Sequence, residues 1–201
     1  MITAFAVTAT AAYLIYFGLT VALHLRPSPY HPLSNTVSDY SRSMSGWMNR
    51  AAILINGVGT ALLLAVLHHL AHGSTARPAL VELGVVAATR IAMAFVLADE
   101  PGQRRTAWGT SHAAIAILSF LAAVSAVGGF TRLGLFRLNS AAPMQHLLAA
   151  LALPLLGVLL VTVLVPYARR FVGLAERLFL LDVNGWLLVT AIWTVVYSVG
   201  H

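Results

Sequence analysis

Ser38, Asp99 and His112 are the residues whose types add up to a reaction. Ser38 would line a polar pocket with Asp39 and Arg42 where its loop folds back over the bundle mouth, and a carboxylate that holds the His112 imidazole orients it as a base or as a metal ligand. Ser38 and Asp39 stand in HPLSNTVSDYSRSMSGWMN, and Asp99 and His112 bracket the stretch DEPGQRRTAWGTSH. An Asp and a His at facing helix ends form a carboxylate–imidazole pair, useful to a base and to a metal ligand alike; a plain structural hydrogen bond is the blander reading. Ser38 and Asp39 equally suit the cap of a short helix. Asp39, Arg42, Glu176 and Arg177 are further binding candidates, with Glu176 expected to meet an Arg from a neighbouring loop and Arg177 to meet Asp39 or Asp99. Arg90 sits inside an apolar run, where an unpaired charge is costly. Glu82, eight residues earlier, and Asp182 or Asn184 are its expected partners. His68 and His72 are one helical turn apart, a two-ligand metal spacing, but histidines at a helix end near an interface are commoner. His146 and His201 are expected on that same side.

These residues need elements to carry them, and the composition narrows the choice. The chain has 201 residues, 59% hydrophobic and 9% charged, with mean hydropathy +0.85. Soluble domains are about 45–50% apolar and about 25% charged. The polar remainder is too small to cover a water-soluble core of this size. The reading is an all-α, polytopic membrane protein. There is no Cys, which removes disulfides, thiolate metal sites and a thiol nucleophile. All 12 basic residues other than His are Arg and the net charge is +6. They are scattered without a basic stripe or a nucleic-acid motif, so nucleic acid is not an expected partner. The bilayer is, together with a lipid or small-molecule ligand.

Continuous apolar runs, not alternating ones, predict a bundle of six transmembrane helices in one domain over 1–201. The expected spans are 3–25, 47–70, 79–98, 108–128, 147–167 and 178–199. The first run has no charged n-region and no cleavage site, and reads as a span rather than a signal peptide. Gly57, Gly59, Pro154 and Gly157 are candidate helix breaks. Six alternating helices place loops 26–46, 99–107 and 168–177 on one face. That face carries eight Arg against three on the other, so it is expected in the cytoplasm of a multi-pass cell-membrane protein, with both termini outside. His68, His69, His72, His146 and His201 fall about 30 Å away on the opposite face and cannot share ligands with His112.

HPLSNTVSDYS after the first span, GWMN opening the second, D-x-PG…G-x-SH across the third and fourth, and AERLF before a Trp-bearing last span resemble the bacterial and archaeal membrane family of domain of unknown function 998. The resemblance covers nearly the whole chain and rests on Ser38–Asp39, Asp99 with Gly109 and His112, and Glu176–Arg177 with Trp186. It implies the architecture and no activity. A fainter resemblance, through N-T-V-S-D and G-T-S-H, is to transmembrane hydrolases that include the alkaline ceramidases, which use Ser, Asp and a three-His zinc site. It implies zinc only for a hydrolase, with His24 or His31 joining His112 as ligands. Two functions follow as expectations. One is a small transporter-like or accessory membrane unit with a polar site at the face of loops 26–46, 99–107 and 168–177. The other is a metal-dependent membrane-embedded hydrolase acting on lipid through Ser38, Asp99 and His112.

Overall fold

The computed structural model describes residues 1–71, 74–100, 102–137 and 139–200. Among these, every regular element is helical. The helices are α1 (Ile2–His24), α2 (Gly46–Leu70), α3 (Arg77–Met93), α4 (Ala107–Thr131), the short α5 (Gly134–Arg137), α6 (Ala142–Leu164) and α7 (Val172–Gly200). Single 3-10 turns stand at Ser38–Arg42, Ser74–Ala76 and Pro166–Phe171. Five stretches are long and apolar enough to cross a membrane: Ile2–His24, Gly46–Leu70, Ala107–Thr131, Ala142–Leu164 and Pro166–Gly200. The sixth expected span, α3, has 17 residues and falls short by length.

The long helices close a ring. α1 packs on α2, α2 on α3, α3 on α4, α4 on α6, α6 on α7, and α7 returns to α1. Outward positions are apolar, for example Leu14 and Val21 on α1, Leu118 and Leu121 on α4, and Leu153 and Val161 on α6. This is the pattern that hydrocarbon, not water, stabilises outside. Inward, small residues let helices approach, as lipid-embedded interfaces require. Ala6, Ala9 and Ala12 of α1 are buried, and a Cβ on Gly59 would meet the Ala12 Cβ at 2.8 Å. Gly57 faces α3, where an added Cβ would reach the Ile91 nitrogen at 2.9 Å. These glycines are packing positions, not breaks, because α2 runs unbroken through both. α6 likewise continues through Pro154 and Gly157.

The end of the bundle near the chain termini is filled by aromatic rings. α5 tucks Phe136 against Phe130, Trp186 and Trp193, with centroids 5.6, 5.8 and 5.4 Å apart. The other end is polar. Two expected boundaries move there. α3 stops at Met93 rather than 98, although the apolar run continues. The carbonyls beyond it are taken by side chains: Val96 O by His112 and Ala98 O by the Arg42 Nε–H. Such partners let a helix end where hydropathy alone sees no reason to. α7 starts at Val172 rather than 178, so Glu176 and Arg177 are helical residues and not loop.

Gly57→Val should destabilise the protein by about 2 kcal/mol through overpacking at the α2–α3 contact. Gly157→Ala should cost nothing, because no atom lies within 4 Å of the added Cβ. Chemical unfolding of the two variants in detergent checks the difference; equal loss in both would refute the packing role.

Candidate functional site

Loop 26–45 folds back over the polar end of the bundle, and α7 holds it there. Arg177 Nε donates to His24 Nε2 at 2.9 Å, and its Nη1 donates to the carbonyls of Pro32, Asn35 and Gly173 at 2.8, 2.7 and 2.8 Å. His24 Nδ1 lies 2.7 Å from Thr20 O and must donate to it, which leaves Nε2 free to accept from the guanidinium. The guanidinium also stands over the Tyr40 ring at 5.2 Å. Gly173 permits this contact, since a Cβ there would run into the carbonyls of Asn35 and Pro32. Glu176, one residue earlier and about 100° around the helix, accepts the Val37 N–H at 2.5 Å. From the opposite side Asn49 Nδ2 donates to Val37 O at 3.0 Å and to Ser41 Oγ at 2.6 Å. The backbone just before Ser38 is therefore fixed at both its N–H and its C=O.

Ser38, so placed, meets His112 in the first turns of α4. His112 Nε2 lies 3.2 Å from Ser38 Oγ, and Nδ1 lies 2.6 Å from Val96 O. A carbonyl only accepts, so the proton sits on Nδ1 and Nε2 presents its lone pair to the serine. Asp99 does not orient this imidazole. Its Oδ2 accepts the Thr106 N–H at 2.9 Å and its Oδ1 the Thr106 hydroxyl at 2.6 Å, while Thr106 Oγ1 caps Gly109 N at 3.0 Å. Asp99 thus braces the start of α4, and a Cβ at Gly109 would collide with its carboxylate.

Below Ser38 a cavity of about 50 Å³ opens between α1, α2, α3, α4 and α7. That volume holds a few water-sized groups. Most of its wall is apolar, but polar side chains of Ser38, Asn49, Asn56, Arg90, Glu176 and Asn184 also line it. Arg90, 7% exposed, donates through Nη1 to Asn56 Oδ1. Asn56 Nδ2 donates to Asn184 Oδ1 at 2.9 Å, and Asn184 Nδ2 to Tyr16 OH at 3.2 Å. A second, apolar groove of about 310 Å³ runs between α1 and α7, and Tyr16, Val37 and Leu180 line both spaces.

Several expected pairings differ from these. Arg90 is held by a carboxamide, while Glu82 accepts instead from Ser125 Oγ at 2.6 Å. Asp182 is buried with neither oxygen hydrogen-bonded. Glu176 meets a backbone N–H rather than an Arg, and Arg177 meets His24 and carbonyls rather than Asp39 or Asp99. Asp39 accepts from Thr36 N at 2.8 Å within its own loop. Zinc wants three or four His, Cys, Asp or Glu ligands. Among the described residues no three come together, and both nitrogens of His24 and of His112 are engaged. The described residues do not fit zinc. His72 and His201 lie outside the described residues. Asn49, Asn56 and Tyr16 were missed by sequence reasoning. The signal was there for Asn56, a carboxamide in the middle of an apolar run.

The family described as "Protein of unknown function (DUF998)" matches residues 10–193, and the chain belongs to it. No curated protein and no solved structure matches the chain.

The side-chain and backbone hydrogen bonds from Thr106 hold the Asp99 carboxyl below its ordinary 3.8. Folding therefore favours the charged form. Its contribution to α4 is complete above that ordinary value and fades only as pH falls through the lower folded one. Between about pH 5 and pH 8, Asp99→Asn should speed amide exchange at Thr106 and Gly109, corrected for intrinsic rates, by the same factor throughout. An unchanged rate in the variant would remove Asp99 from the capping role.

Proposed function

We propose that this member of the family is a membrane-embedded serine hydrolase that cleaves an ester or amide bond of a lipid. The observation that carries the reading is His112, set between Val96 O and Ser38 Oγ at 2.6 and 3.2 Å. A base oriented by a third group and within reach of a hydroxyl is the arrangement nucleophilic catalysis needs. Ser38 Oγ would attack the acyl carbon and pass its proton to His112 Nε2. The same Nε2–H would then protonate the leaving oxygen or nitrogen. Water, deprotonated by Nε2, would release the acid and restore the serine. Glu176, Arg177 and Asn49 act as positioning residues, through the loop that carries Ser38, and Arg42 through Ala98 O. The apolar α1–α7 groove, sharing three wall residues with the cavity below Ser38, supports a lipid as the substrate. Of the three residues expected from the sequence for a metal-dependent hydrolase, this reading uses Ser38 and His112 and does without Asp99 and the metal.

A second reading keeps the cavity without the reaction: a transporter-like or accessory unit that binds a polar ligand through Arg90. The string of polar groups at membrane depth supports it. The unbroken α2 and α6 deprive it of the half-helix termini that transport sites use.

In this proposal α3 is the sixth crossing. It runs from the Gly129–Ala79 contact at one end to the Val96–His112 bond at the other, between two helices that themselves qualify as spans. The face with loops 26–46, 99–107 and 168–177 is then cytoplasmic in the cell membrane and the termini are outside.

An alkyl fluorophosphonate, which phosphonylates activated serines with loss of fluoride, tests the chemistry on purified protein in detergent. It should add one mass increment at Ser38, and none in Ser38→Ala. His112→Ala should slow labelling by about 10²–10⁴-fold, the usual worth of a general base, while Asp99→Asn stays at the wild-type rate. Labelling of His112→Ala at full rate, with the variant folded by its unfolding midpoint, would sink the hydrolase. Alkaline phosphatase fused after His201 should be active and green fluorescent protein dark at the same place; the reverse result inverts the topology.

A further inference from the structure

We infer that the cavity beside Ser38 binds a small carboxylate through Arg90. The guanidinium lies at membrane depth, where charge is tolerated when paired or facing a polar cavity. Its Nη1 is committed to Asn56 Oδ1. No other donor of Arg90 has a protein partner among the described residues. Nor are those donors walled off. The fully enclosed side-chain atoms without a partner are Arg177 Nη2, the two Asp182 oxygens and Trp186 Nε1. Arg90 Nε and Nη2 are not among them, and Arg90 lines the cavity.

The acidic residues give Arg90 no hydrogen bond. The chain has six of them. Asp39 is bound to Thr36 N, Glu82 to Ser125, Asp99 to Thr106, Glu100 to Gln103 and Glu176 to Val37 N. Asp182 carries no hydrogen bond at all. None of the six is hydrogen-bonded to Arg90. Its hydrogen-bond partner is the neutral Asn56 carboxamide.

The free edge says which anion. With Nη1 taken, Nε and Nη2 remain as a side-on fork, two parallel N–H groups spaced for the two oxygens of a carboxylate. A space of about 50 Å³ admits that group and a short tail. The remaining wall suits it: hydroxyls from Tyr16 and Ser119, and apolar surface from Ile53, Met93 and Phe120. Glu176 also lines the cavity, at the loop end, with its Oε2 spent on Val37. The inference rests on Arg90 and the cavity, not on Ser38 as a nucleophile.

Propionate and its neutral isostere propionamide test it, on the full chain in nanodiscs at ionic strength matched with sodium chloride. Propionate should raise the thermal midpoint and give saturation-transfer signals; propionamide should do neither. Arg90→Lys keeps the charge and loses the fork, so its apparent affinity should fall about tenfold, the effect of one lost charged hydrogen bond. Arg90→Gln should lose the shift, with its ligand-free unfolding midpoint showing that the variant is folded. Both readouts report binding and need no turnover, so failure of the hydrolase leaves this result readable. A shift retained in Arg90→Gln, undiminished affinity in Arg90→Lys, or an equal shift from chloride alone would overturn the proposal.

Discussion

Arg90 sets a constraint that much of the interior answers. Placing a guanidinium near the middle of a membrane helix costs about 3 kcal/mol on insertion scales and more in simulation. The bundle meets that cost with neutral groups. Asn56 gives its oxygen to Arg90 and its nitrogen to Asn184; Asn184 gives its nitrogen to Tyr16. One turn further along α2, Thr60 donates to Asn56 O and accepts from the Tyr13 hydroxyl. Arg90 thereby draws α1, α2, α3 and α7 onto one polar axis. Hydrocarbon offers these groups no alternative partner, so the register of four helices is coupled to where one charge sits.

The loop face repeats this logic with the backbone. Loop 26–45 is polar and would remain in water if nothing compensated its burial. Two adjacent residues of α7 do so in different directions, because successive helix positions diverge by about 100°. Glu176 turns inward to the Val37 N–H, and Arg177 turns sideways to His24 and three carbonyls. Asn49 closes the remaining side. Tyr40, Leu23 and Met48 form a small core beneath. The position of Ser38 relative to His112 is thus a product of α1, α2, α4 and α7 together, rather than of the loop's own preference.

The membrane class was legible from composition, and the long apolar helices from hydropathy, because those signals sum over twenty residues. Boundaries were less legible where side chains replace water as partners. LAERLF reads as loop because it holds a Glu and an Arg, yet both are helical, since a folded-back segment satisfies them. The run through Val96 reads as helix because it is apolar, yet it ends at Met93 so that two carbonyls serve His112 and Arg42. The site was half legible. Ser38 and His112 stood out by type. Asp99, equally conspicuous, turns out to brace a helix start. Asn56 was invisible to a search for carboxylates, since a carboxamide can satisfy a buried guanidinium as well.

The two ends of the bundle differ in a way that bears on what the cavity is for. Past Arg90 the interior changes from carboxamides to close-packed apolar groups. Leu83 and Val86 of α3 meet Val127 of α4 and Trp186 and Leu187 of α7, with no room left between them for a water. Beyond that lie the stacked rings of Phe130, Phe136, Trp186 and Trp193. A solute crossing the membrane along the axis would have to separate this packing, which resists volume change as protein interiors do. The cavity is therefore blind at its deep end. Tyr16, Val37 and Leu180 stand between it and the apolar groove that runs between α1 and α7.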